Sequence, residues 1–162
     1  MRKPFIVALL VVVASLIPVG VAAERLPSSF HGGDPFTAVL SGPGSGTGMA
    51  RVTLNPGQRE VCWEVTVSGL PAPVFASHIH KLPAVGVNGP IVVPFFNTGF
   101  NTPSSATSFS GCTENVDRAL IEDIQDNPAG YYVNIHTSCA GQPASCTGAN
   151  PVSAVRGQLT HP

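Results

Sequence analysis

Ala50-Arg51-Val52-Thr53-Leu54, Asn55-Pro56-Gly57 and Val61-Cys62-Trp63-Glu64-Val65-Thr66-Val67-Ser68 are the segments that decide the fold class of this chain. In the first, Ala50, Val52 and Leu54 alternate with Arg51 and Thr53. In the last, Val61, Trp63, Val65 and Val67 alternate with Cys62, Glu64, Thr66 and Ser68. Strand side chains switch faces at every residue, so each segment has one apolar and one polar side. Asn55-Pro56-Gly57 reads as a turn between them, with Gly57 free to take positive φ. The expected result is a hairpin with its apolar face inward.

The same reading extends outward in both directions. Residues 36–40 form a first strand, and a glycine-rich link over residues 42–48 joins it to the hairpin. Residues 69–73 are a turn leading into a strand that contains His78 and His80. Residues 91–96 form a strand that Pro94 places at an edge or at its end. Residues 106–110, 131–137 and 153–160 complete the strands. Residues 115–126 are the only helical candidate, with Val116, Leu120 and Ile124 four apart on one face. Asn127-Pro128 ends it. The predicted fold is all-β, an antiparallel, Greek-key-like sandwich or barrel with one short helix.

Arg2 and Lys3 precede an apolar or small-residue run over residues 5–17. Pro18 and Gly20 break the run, and Val21-Ala22-Ala23 supplies small residues for a cut. This is the layout of a secretory signal peptide over residues 1–23, cleaved after Ala23. The run is shorter than the roughly 20 residues a spanning helix needs, and no second stretch could span a bilayer after cleavage. The expected organisation is signal peptide 1–23, flexible lead-in 24–35 and a single domain over 36–162. The product would be secreted or held at the cell envelope. Without Arg2 and Lys3, six basic residues face nine acidic ones, a formal charge of −3. No basic cluster offers a surface to nucleic acid. An extracellular or envelope protein, or a small ligand, is the class of partner left.

Cys62, Cys112, Cys139 and Cys146 make an even number in an exported chain, which points to two disulfides with three possible connectivities. Cys139 and Cys146 flank a short loop and are close enough to pair locally, which leaves Cys62 with Cys112. Because Cys62 points away from the Trp63 face and Cys112 just precedes the helix, that bond is expected to tie the start of the helix to the outer side of the sheet. A thiolate metal site is the rival reading, but the spacings contain no Cys-x-x-Cys pair.

Histidines fall on the polar side of two strands. His78 and His80 share a face opposite Ile79. Tyr132, Asn134 and His136 share a face opposite Val133 and Ile135. Arg156 and Gln158 lie opposite Val155 and Leu159. If these strands are neighbours, His78, His80 and His136 meet, and three neutral imidazoles suit Cu²⁺ or Zn²⁺ with a position left open. Asn134, Gln158 or Tyr132 could orient an imidazole through its second nitrogen. Arg156 could hold an anion beside the ion. The leading reading is a polar layer in which the histidines donate to backbone carbonyls or overlying loops and bind no metal, in a module with a binding or structural role outside the cytoplasm; the metal site is the alternative. His31 and His161 read as solvated, as do Glu122 and Asp123 on the helix. No serine-nucleophile motif stands out, and Gly42, Gly44, Gly46 and Gly48 lack the lysine and helix of a phosphate loop. No residue is assigned a catalytic role.

An ordered set of segments resembles the CHRD, or chordin-type, domain in its bacterial secreted form. They are residues 36–40, 48–54 and 61–70, Ala76-Ser77-His78-Ile79-His80, residues 89–93, residues 127–137 and Val155-Arg156-Gly157-Gln158-Leu159. The resemblance implies an all-β, sandwich-like domain and no assigned activity. More remotely, the order His78, His80, then His136, then Arg156 is similar to the order of copper-site elements in copper/zinc superoxide dismutase. The likeness stops there: between His80 and His136 this chain has no histidine to bridge two metals or to build a zinc loop.

Overall fold

A computed structural model of the chain describes residues 32–42, 45–82, 88–99, 102–138 and 152–162. The expected signal peptide, His31 and the expected Cys139–Cys146 pair lie outside these residues. Eight strands are described: β1 (Asp34–Ser41), β2 (Thr47–Asn55), β3 (Glu60–Ser68), β4 (Val74–Lys81), β5 (Ile91–Asn97), β6 (Ser108–Thr113), β7 (Tyr131–Thr137) and β8 (Val152–Gln158). They form one antiparallel sheet in the order β5-β4-β7-β8-β1-β2-β3-β6.

The sheet curls into a nearly closed barrel because one side of each strand is apolar. Phe36, Leu40, Val52, Leu54, Val61, Val65, Ile79, Val133, Ile135 and Val155 are fully or almost fully buried in a common core. At the two ends of the order, β5 and β6 approach across a seam held by side chains. Thr113 Oγ1 donates to the Pro94 carbonyl, and the Phe96 and Phe109 rings stack at 4.5 Å. Pro94 has no N–H, so at that point β5 lacks a donor for further pairing, which fits its edge position. Trp63 fills the barrel beneath the seam, stacked on Phe95 at 5.2 Å. Only a glycine leaves room for the indole: a Cβ on Gly111 would stand 2.9 Å from Trp63 Cζ2.

The β2–β3 hairpin forms as the alternation predicts, with Val52 opposite Trp63 and Ala50 opposite Val65. Its turn differs. Positive φ falls on Arg59 (56°), not on Gly57. Arg59 N–H donates to Pro56 O at 3.4 Å, and Gln58 N–H donates to Asn55 Oδ1 at 3.1 Å. Val116 then holds Arg59 from outside: Val116 N–H donates to Arg59 O at 2.9 Å, and Arg59 Nε donates to Val116 O at 3.3 Å. These tertiary bonds offset the cost of a left-handed non-glycine residue, on the order of 1 kcal/mol.

Helix α1 (Arg118–Asp126) is capped by Asp117, whose carboxylate accepts from Ala119 N at 3.1 Å, and it ends at Asn127 before Pro128. Its buried residues are Ile121 and Ile124, so the inward stripe includes Ile121, while Leu120 is only partly covered. Asp123 is more than a solvated charge. It takes Lys81 Nζ at 2.8 Å and the Tyr131 hydroxyl, tying the helix to β4 and β7.

Strand β6 begins and ends later than the sequence predicts, because its ladder with β3 runs on to Thr113 opposite Val61. Cys112 is therefore a strand residue directly opposite Cys62, and the two are joined by a disulfide. The bond links β3 to the edge strand β6, not the start of the helix to the sheet. It closes a loop with a sequence separation of 50. Chain-entropy arguments give such a loop about 4 kcal/mol of stabilisation. We expect the Cys62→Ala/Cys112→Ala variant to lose a comparable amount of unfolding free energy in urea titrations. An unchanged midpoint would mean that the bond does not constrain the chain.

Candidate metal centre

Three neighbouring strands build the site. β4 pairs with β7 so that His78 faces Asn134, His80 faces Tyr132 and Ala76 faces His136. β7 pairs with β8 so that Tyr132 faces Gln158 and Asn134 faces Arg156. Residues paired across strands lie on one face, so all the sequence-derived candidates gather on the outer side of the barrel, opposite Ile79, Val133, Ile135 and Val155. The histidines and Asn134 are nonetheless well covered, while Gln158 is exposed. Relative exposure is 7% for His80, 8% for His136 and 4% for Asn134, and His78 is partly buried.

The three imidazoles meet. Ring centroids are 4.9 Å apart for His78 and His80, 4.8 Å for His78 and His136, and 6.4 Å for His80 and His136. One ring nitrogen from each lies within 4.8 Å of the other two. Two nitrogens bound about 2.0–2.1 Å from one ion stand about 3–3.5 Å apart. His78 Nδ1 and His80 Nε2 are 3.0 Å apart, close to that spacing, and a nitrogen of His136 lies within 4.8 Å of both.

The hydrogen bonds fix much of the proton arrangement. His80 Nδ1–H donates to the Gly89 carbonyl at 2.7 Å, which leaves the lone pair on His80 Nε2. In the metal-free protein His78 Nδ1–H donates to that lone pair. A metal ion held there would need the lone pairs of both nitrogens, with the His78 hydrogen on Nε2 instead. Asn134 Nδ2 and His136 Nε2 are 3.0 Å apart, and Ser153 Oγ donates to Asn134 Oδ1 at 2.5 Å. A half-turn of the Asn134 amide exchanges the roles, so that His136 Nε2–H donates to Oδ1 and the lone pair sits on Nδ1. Either way Asn134 orients His136, and Ser153 orients Asn134.

Burial keeps His78 and His80 neutral, and repulsion from the neighbouring rings adds to this at His78. His78 is lowered from 6.5 to about 3, first by desolvation and then by the nearby His136 and His80. His80 is lowered too, mainly by burial, with the Gly89 carbonyl opposing the shift and Arg156 adding to it. Neutral imidazole is the metal-ligating form.

The other candidates divide. Tyr132 stacks on His80 at 4.9 Å with an interplanar angle of 5°, and its hydroxyl accepts from Gly89 N–H at 3.1 Å. Arg156 lies over the Tyr132 ring at 5.7 Å and reaches Asn88 Oδ1 at 3.4 Å. Gln158 points its amide at the Ala129 carbonyl instead of an imidazole. His161 is exposed but packs on Phe36 at 4.7 Å. Sequence reasoning missed Ser153 and Gly89. A bulge between Ile135 and His136 makes Ala154 the extra residue and brings Ser153 opposite His136, against simple alternation. Gly89 acts through its backbone, which no residue type advertises. A second group of ligand atoms, Glu60, Cys62 and Cys112, has its sulfurs committed to the disulfide.

The sequence model of the CHRD domain family matches residues 31–159, and the chain belongs to that family. No curated protein is significantly similar to it in sequence.

The lowered His78 and His80 values give acid sensitivity. Between pH 6.5 and about 3 the unfolded chain takes up a proton at His78 that the folded chain refuses. The unfolding free energy contributed by this residue is therefore present above pH 6.5 and lost as pH falls through that window. We expect the urea midpoint of metal-free protein to fall more steeply from pH 7 to pH 4 than that of His78→Gln. Parallel curves would contradict the assignment.

Proposed function

We propose that this CHRD domain is an exported module that binds one divalent transition-metal ion, copper or zinc, through His78, His80 and His136. The observation that carries the reading is the convergence of three imidazoles on one well-covered patch, with His78 and His80 held in their neutral form. The donor set is all nitrogen, which suits Cu²⁺ or Zn²⁺ better than Mg²⁺ or Ca²⁺, and copper is favoured at equal availability. Asn134 and the Gly89 carbonyl would orient His136 and His80 through their second nitrogens, as partners of metal-bound imidazoles do. A bound ion would supply a Lewis-acidic centre, and copper would add one-electron chemistry.

Export is supported by the signal-peptide pattern of residues 1–23 and by the Cys62–Cys112 disulfide, a bond at home in oxidising compartments. No helix among the described residues is long and apolar enough to cross a membrane. A second reading, a purely structural polar layer, is favoured by one feature. Asn88 and Gly89 lie over the patch and bond to His80, Tyr132 and Arg156.

Calorimetric titration of the mature chain with Zn²⁺ or Cu²⁺ separates the two. Metal binding predicts one tight site, lost in His78→Ala/His80→Ala. It also predicts a rise in unfolding free energy of about 2.7 kcal/mol when free ion is a hundred times Kd. Equal, weak uptake by both proteins would leave the structural layer as the explanation.

A further inference from the structure

Beside the imidazoles lies a cavity of about 360 Å³ whose walls include Val39, Ser41, Leu82, Tyr132, Arg156 and Gln158. We propose that it is a binding subsite for a small organic carboxylate, anchored by the Arg156 guanidinium. This goes beyond the metal reading and does not depend on it.

Arg156 supplies the charge of the cavity. Among the described residues no carboxylate pairs with it. The described ion pairs are Lys81 with Asp123 and Arg118 with Glu122. Nor could the neighbouring stretches supply one, because residues 83–87 and 139–151 contain no Asp or Glu. Its described contacts are the Tyr132 ring and a long hydrogen bond to the neutral Asn88. A guanidinium has five N–H donors in a planar fork matched to a carboxylate, and among the described residues most of these are uncommitted. A carboxylate would therefore form charge-assisted, two-point hydrogen bonds here.

The rest of the cavity selects for more than charge. Ser41 sits opposite Arg156 where β1 meets β8, close enough to offer its hydroxyl to the same ligand. Val39 and Leu82 give apolar walls, and Val39 is 71% exposed, so a ligand would cover it. The volume is within the range of small-ligand pockets and far larger than an inorganic anion needs. The strands approach so closely at the cavity floor that a Cβ on Gly157 would meet Val39 O at 2.1 Å, and the glycine keeps this floor intact. Tyr132 is common to the cavity and to the stack on His80, so a ligand held here lies on the flank of the imidazole cluster.

The test uses the mature chain, stripped of metal and dialysed free of chelator, followed by amide NMR. The probes are 4-methylpentanoate, its neutral amide and sulfate. We expect 4-methylpentanoate to shift the Val39, Ser41 and Gly157 amides saturably, with the amide and sulfate each at least tenfold weaker. Arg156→Gln should weaken carboxylate binding at least tenfold. Val39→Glu, at an exposed position where folding is safe, should do the same by repulsion. Equal binding of acid and amide, or no binding of either, would overturn the proposal. So would sulfate binding as tightly as the carboxylate, or full retention of binding in Val39→Glu. Because every measurement is made without metal, failure of the metal reading leaves this result standing, and the reverse also holds.

Discussion

The pairing of β4 with β7 is the constraint from which the site follows. Side chains alternate with a period of two, so a slip of one residue would turn every histidine of β4 into the barrel and every isoleucine out. Ile79, Val133 and Ile135 are completely buried, and each fully buried aliphatic side chain contributes about 1.5–3 kcal/mol. That burial fixes the register, and the register places His78 opposite Asn134 and His80 opposite Tyr132. The outer polar face is positioned by the apolar inner face. The lowered His78 value reflects desolvation first and then repulsion from His136 and His80 on protonation.

Two kinds of bond hold the same rings. The Gly89 carbonyl and the Asn134 amide fix ring orientation from behind, while His78 Nδ1 and His80 Nε2 face each other at 3.0 Å. In the metal-free protein the proton between those nitrogens makes a satisfied hydrogen bond. The proposed metal centre would use the same scaffold with the other tautomer of His78. Forming it would forfeit one neutral hydrogen bond, of order 1 kcal/mol net. The same economy links Tyr132 to both the His80 stack and the neighbouring cavity.

Much of this was legible in the sequence because alternation is a direct print of a two-sided strand. The hairpin of Ala50 to Ser68, the edge position announced by Pro94, and the shared face of His78, His80 and His136 all rest on parity. What parity cannot carry is a bulge. Ser153 moves to the histidine side only because Ala154 is an extra residue, and Phe75 is similarly extra between Val74 and Ala76. Arg59 takes the left-handed turn position in place of Gly57 because Val116, far along the chain, bonds to it. The extent of β6 was hidden because Ser108 to Thr113 is short of apolar residues, and its course is set by pairing with β3. The covering of the patch by Asn88 and Gly89 is a backbone effect and leaves no mark in residue type.

The most direct test of the convergence of His78, His80 and His136 is imidazole ¹⁵N NMR of the mature chain during titration with Zn²⁺. The account predicts that His78, His80 and His136 change together and are complete at one equivalent, while His31 and His161 do not move. Changes confined to His31 or His161, or to a single ring of the three, would contradict it.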